Sequence, residues 1–172
     1  TAVGRSALAT MGVNSNSTAL GFNAGRNTTA IGVTAIGANA LALSTGGNYN
    51  LAVGYDAMAN GIVTGASNTA IGTGAGVVLT SGNGNTLIGA DVGNTLTTGS
   101  SNICIGRGSL TSTAIITNEL SIGSSAQYVA TDGAAATYFP TATAGAVVLG
   151  SALGFIRINL NGTFVKIPVY GN

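Results

Sequence analysis

Asp56 and Asp91 each stand two residues after a glycine of a repeating pattern, two repeats apart. Stacked at about 4.8 Å per repeat, they would lie about 10 Å from each other. That is near the upper limit for the carboxyl pair of an inverting glycosidase. It is the sharpest catalytic arrangement the chain offers. The plainer reading is a pair of solvated turn aspartates, because the same position is otherwise held by Ser6, Asn23, Asn39, Gly74, Gly108 and Ser125. The remaining inventory is thin: Glu119 and Asp132 as further carboxylates, a single cysteine (Cys104) and no histidine. Catalytic triads, Cys-His pairs and His-based metal sites are therefore excluded. Calcium-binding nonapeptide coils would need an aspartate in every turn. Glycine-rich stretches such as Gly72–Gly76 lack the Lys-Ser/Thr of a phosphate loop. No enzymatic activity, metal or cofactor is expected.

The pattern that places these residues has a short period. Gly4, Gly21, Gly37, Gly54, Gly72, Gly89, Gly106 and Gly123 follow one another at 17, 16, 17, 18, 17, 17 and 17 residues. A fixed period this short means one unit stacked on copies of itself. Before each anchor glycine stands a bulky aliphatic: Val3, Leu20, Ile36, Val53, Ile71, Ile88, Ile105, Ile122. Two before it the residues are mostly small: Ala2, Ala19, Ala35, Ala52, Ala70, Leu87, Cys104, Ser121. Three before it stand Thr1, Thr18, Thr34, Leu51, Thr69, Thr86, Ile103 and Leu120. Alternating side chains point to opposite faces of a strand, so the pattern predicts a short strand in every coil. It predicts a bulky interior and, on the opposite face, a flat column of small residues. Cys104 reads as a buried substitute for alanine.

Other columns mark turns. Gly47, Gly65, Gly82 and Gly99 lie seven before an anchor glycine, where a corner of positive φ is expected. Asn50, Asn68, Asn85 and Asn102 lie four before it and should stack as an amide ladder. Ala30–Gly32 repeats the anchor motif out of phase and is expected to be the opposite strand of its coil. The residue after the anchor varies widely (Arg5, Phe22, Ala38, Tyr55, Thr73, Ala90, Arg107, Ser124), as an outward position would. The fold class expected is all-β, a parallel β-roll or β-solenoid of about eight coils over residues 1–127.

Past Gln127 the repeat stops, and residues 128–172 form a second region. Phe155–Tyr170 reads as a β-hairpin: apolar alternation on both sides of Asn161-Gly162, a type I′ turn signal. Arg157 would face Lys166 across it. Six of the nine aromatics fall in the last 45 residues. Arg157, Lys166, Tyr138, Phe139 and Tyr170 are the candidate receptor contacts. The cationic pair suits an anionic glycan, and equally a solvated outer face that keeps hairpins of neighbouring molecules from aggregating. The aromatics suit either sugar stacking or an axial core.

The chain has 172 residues, 28 of them glycine, five Lys/Arg and four Asp/Glu, with a net charge of +1. That balance carries no electrostatic footprint for nucleic acid or an anionic membrane. No run of 18 apolar residues exists to span a bilayer as a helix. Thr1 already lies within a repeat strand, so the chain reads as the C-terminal part of something longer. A column of alanines facing outward would invite packing against the same column of other chains, and a rotationally symmetric oligomer is expected.

NTAIGTGA (Asn68–Ala75) and NLAVGYDA (Asn50–Ala57) resemble the head repeats of YadA-like trimeric adhesins. Residues 1–126 are similar to that family, whose heads are left-handed parallel β-rolls with a somewhat shorter coil. GFIRINLNGTFVKIPVYGN resembles the C-terminal hairpins that close many bacteriophage tail-fibre proteins. The membrane-anchor domain of the autotransporters is absent from the sequence. These resemblances imply a homotrimeric fibre or spike on a virion surface, joined to other virion proteins upstream and binding a host cell-surface glycan or protein through its tip. A bacterial trimeric adhesin head is the first alternative. An ice-binding solenoid and a glycan depolymerase are alternatives of another class.

Overall fold

The computed structural model describes residues 1–10 and 16–123, and the backbone of 152–160 and 163–170. Two compact units divide the chain, Thr1–Pro140 and Thr141–Asn172. In the first, eight strands form one parallel sheet in chain order: β1 (Ala2–Val3), β2 (Thr18–Leu20), β3 (Thr34–Ile36), β4 (Leu51–Val53), β5 (Thr69–Ile71), β6 (Thr86–Ile88), β7 (Ile103–Ile105) and β8 (Leu120–Ile122). The register sets equivalent positions of successive coils side by side, Ala35 with Ala52 and Ile36 with Val53, and Ala70 with Leu87. This is an all-β parallel solenoid of about seven turns, with no helix among the described residues.

The anchor glycines close each strand for two reasons. Their φ lies between 121° and 138°, a region forbidden to residues with a Cβ. A Cβ at Gly4 or Gly37 would also come 2.5 Å from the carbonyl oxygen of the anchor glycine in the next coil. Gly47, Gly65, Gly82 and Gly99 correct the sequence reading: none has positive φ. They are glycine because a Cβ would run into a carbonyl oxygen of the following coil, that of Gly65, Gly82, Gly99 and Ile116 in turn.

Left-handed residues turn the chain elsewhere. Two after the anchor, Ser6, Asn23, Asn39, Asp56, Gly74, Asp91 and Gly108 have φ between 54° and 65°. Asn, Asp and Gly tolerate that region best. A third set lies four after the anchor: Leu8, Gly25, Leu41, Met58, Gly76 and Gly93, with φ from 49° to 60°. Leucine and methionine are costly there. Their burial in the core offsets the strain.

The direction of the strand faces is the reverse of the expectation. Ala19, Ala35, Ala52, Ala70, Leu87, Cys104 and Ser121 point inward and are buried, whereas the bulky aliphatic column points out. A coil this short encloses little volume, and the interior is shared with the left-handed column four after the anchor. A Cβ on Gly25 would lie 3.8 Å from that of Ala35, and one on Gly76 would lie 3.9 Å from that of Ala70. Large and small residues then exchange sides along the stack. Leu41 and Met58 are large where the strand carries Ala35, Ala52 and Ala70. Gly76 and Gly93 are small where it carries Leu87, whose Cδ1 and Cδ2 would lie 2.8 and 2.9 Å from Cβ atoms added at those glycines. Near the last strand the interior turns polar, and Ser109 Oγ and Ser121 Oγ are hydrogen-bonded at 2.7 Å.

Ala30–Gly32 is not a strand. Gly32 has φ 68° and lies against the Tyr49 ring, and the Ala30 N–H donates to Thr28 Oγ1 at 3.2 Å. The second unit contains β9 (Ala152–Leu160) and β10 (Thr163–Tyr170), paired antiparallel with Leu160 opposite Thr163. The register shifts between Val169 and Tyr170.

Candidate functional site

The amide ladder forms as its spacing requires. Asn68 Nδ2 donates to Asn50 Oδ1 at 3.2 Å, Asn85 Nδ2 to Asn68 Oδ1 at 3.0 Å, and Asn102 Nδ2 to Asn85 Oδ1 at 3.0 Å. Each Nδ2 also donates to a carbonyl of the next coil: Asn50 to Gly65 (2.8 Å), Asn68 to Gly82 (2.8 Å), Asn85 to Gly99 (2.9 Å) and Asn102 to Ile116 (2.8 Å). Each Oδ1 of the first three accepts the next rung's backbone N–H as well. Asn50, Asn68 and Asn85 thus use both donors and both lone pairs, and Asn102 both donors, which is what permits four buried carboxamides.

Glu119 continues the column by one place, a role the sequence reading missed although its position four before Gly123 was the available signal. Its N–H donates to Asn102 Oδ1 at 2.9 Å. Its buried carboxylate accepts the Ser112 N–H at 2.9 and 3.1 Å and the Ser112 hydroxyl at 2.5 Å. Cys104 is buried nearby, and desolvation, with the Glu119 charge second, pushes its thiol up to about 11.

Outside, the column before the anchor glycines presents an aliphatic row along the sheet. Val3 is 55% exposed, Leu20 49% and Ile122 49%, with Ile71, Ile88 and Ile105 also exposed and Ile36 and Val53 half-buried. Beside it run Thr18, Thr34, Leu51, Thr69, Thr86, Ile103 and Leu120 on the same face. Seven spacings of about 4.8 Å make this face about 34 Å long.

Past the corner glycine lie Phe22, Ala38 and Tyr55 in consecutive coils, held by backbone bonds from Asn39 N to Phe22 O (2.8 Å) and Asp56 N to Ala38 O (3.0 Å). The two rings are exposed. Next to them Asn23 Nδ2 donates to Asn39 Oδ1 at 3.2 Å, and Asn39 Nδ2 to Asp56 Oδ1 at 2.9 Å. Asp56 and Asp91 both occupy left-handed turn positions with φ 54°. Asp56 is committed to Asn39, while Asp91 Oδ1 faces Gly74 of the preceding coil, 2.7 Å from where a Cβ would stand there. Among the described residues no group of three His, Cys, Asp or Glu could hold a metal.

Of the five receptor-contact candidates, the register of β9 and β10 sets Arg157 opposite Lys166, and Tyr170 opposite Ala152. Tyr138 and Phe139, like the Asn161-Gly162 pair, lie outside the described residues. The class that the fold defines is the parallel β-solenoid. No protein family, curated protein or solved structure matches the chain.

Proposed function

We propose that this chain is part of a homotrimeric fibre or spike of bacteriophage type, which attaches to a host surface by adhesion rather than by turnover. The observation that carries the reading is the aliphatic row of β1 to β8. Most of its side chains face solvent in a single chain, although an aliphatic row this long is normally covered. Burying the exposed half of each Val, Leu or Ile contributes about 1 kcal/mol. Summed over the row, that is of the order needed against the cost of association. Rotational symmetry supplies the cover, because three identical rows meet about one axis. This row takes the place of the alanine column as the assembly surface.

The terminal segment GFIRINLNGTFVKIPVYGN, with its resemblance to fibre-closing hairpins, supports the phage assignment and a C-terminal tip. Three tips per fibre would multiply weak contacts with a surface glycan or protein. Sedimentation equilibrium of the purified chain is expected to give three times the chain mass; a monomer at micromolar concentration would sink the reading.

A further inference from the structure

We infer that the side of the roll carries a sugar-binding notch, formed by Phe22, Ala38 and Tyr55, that accepts a pyranose unit of a surface polysaccharide. The site goes beyond attachment through the tip and needs only one chain. Phe22 and Tyr55 are 46% and 57% exposed, two coils apart, with the small Ala38 between them. Two spacings make the opening about 10 Å from backbone to backbone. Arg5, from the coil before, lies over the Phe22 ring with its guanidinium carbon 5.7 Å from the centroid. Ala38 comes from the coil after, so the notch and the cation flank Phe22 from neighbouring coils.

The chemistry of the walls selects the ligand. A pyranose ring has an apolar C–H face and a rim of hydroxyls, and aromatic faces with their negative quadrupole pair with such C–H groups. Directly after Ala38 and Tyr55 in the chain, the Asn39 carboxamide and the Asp56 carboxylate are already oriented by their mutual bond of 2.9 Å. That bond uses one Nδ2 hydrogen of Asn39 and one oxygen of Asp56. The second hydrogen and the second oxygen are the donor and acceptor that a pair of adjacent hydroxyls requires. Both turn residues are fixed at left-handed φ, so little ordering accompanies binding. Because Phe22 and Tyr55 bound the notch along the stack, an extended polysaccharide would cross the axis there, seating one unit between the two rings.

The test is a titration of the full chain with cellohexaose and chitohexaose as neutral probes and hyaluronan and alginate oligosaccharides as acidic ones, read by ligand-observed NMR. Binding of any probe is expected, and Phe22→Ala and Tyr55→Ala should each weaken it by about tenfold or more. Ala38→Phe, which fills the notch from an outward position, should do the same. Tyr49→Ala removes an exposed aromatic at another corner and should leave affinity unchanged. Binding of the acidic probes alone would assign Arg5 to the ligand's carboxylate, within the same proposal. No binding of any probe, or equal losses from Tyr49→Ala, overturns it. Neither result bears on the trimer, which sedimentation decides separately.

Discussion

The Glu119 N–H donates to Asn102 Oδ1 at 2.9 Å, which sets a buried carboxylate where the next asparagine of the ladder would stand. The carboxylate turns to the Ser112 N–H and hydroxyl instead of to a neighbouring amide. Replacing Glu119 with alanine would leave the Ser112 N–H without its acceptor. Hydrogen bonds to charged groups contribute about 1.5–3 kcal/mol, and a loss of about 2 kcal/mol is expected by urea unfolding. Ser112→Ala, which removes only the hydroxyl, should cost less.

Inside the ladder the penalty grows. Asn68→Ala deletes bonds to Asn50 Oδ1 and Gly82 O, and strips the acceptor from both nitrogens of Asn85 that bond to it. At about 1–3 kcal/mol for each buried group left unsatisfied, the first expectation is a drop of several kcal/mol. Asn68→Asp should lower the unfolding midpoint further, because it places a carboxylate oxygen against the Gly82 carbonyl in place of a donor. An aspartate variant as stable as wild type would contradict the assigned amide orientation.

The Cys104 thiol gives a pH dependence with a definite sign. Its ordinary value is 9.0, and desolvation followed by the Glu119 charge raises it to about 11 in the fold. The folded state therefore holds the proton more tightly than the unfolded one. Its contribution is fully present below pH 9 and is lost as pH rises through about 11, on the order of 2 kcal/mol. Cys104→Ala, which restores the alanine typical of its column, should fold and remove that loss. Urea midpoints of the two chains compared from pH 8 to 11 check it.

The outward row and the inward column predict opposite failures. Ile88→Lys should leave the circular dichroism of the chain unchanged while abolishing the proposed trimer in sedimentation. Ala70→Lys, one position earlier in the neighbouring coil, should prevent folding, because Ala70 is fully buried and has no space for a charged chain. If Ile88→Lys unfolded the chain, the row would belong to the core rather than to an interface.

The exchange of large and small residues can be tested by a double-mutant cycle. Leu87→Ala should cost about 2–5 kcal/mol through the cavity it leaves. Gly76→Met alone should also destabilise, since its Cβ would meet Leu87 Cδ1 at 2.8 Å. Together they reproduce the arrangement of Met58 with its strand alanines, and favourable coupling is expected.

The coil, its period and the asparagine ladder were legible because each depends on one position repeating: glycine where a side chain would strike the next coil, and a carboxamide that can satisfy four partners. The facing of the strand was not. Val53 and Ala52 alternate as they would on either orientation, and a three-residue strand has no neighbouring pattern to break the tie. What decides it is the volume inside the loop, which depends on Leu41 and Met58 at left-handed backbone positions where leucine and methionine are rarely found. The role of Gly65 was not legible for a related reason: turning and close stacking both call for glycine, and only the backbone separates them.

The alternation between Leu41 or Met58 and Gly76 or Gly93 also gives the roll an address system. Repeats this similar could in principle dock one frame out of step, each coil seated where its neighbour belongs. Leu87 and Met58 flank Gly76 from the two neighbouring coils, and a slip that set them directly against each other would force two large side chains into space made for one. The coils on either side of Gly76 are thus held in frame by the one position that leaves room for both.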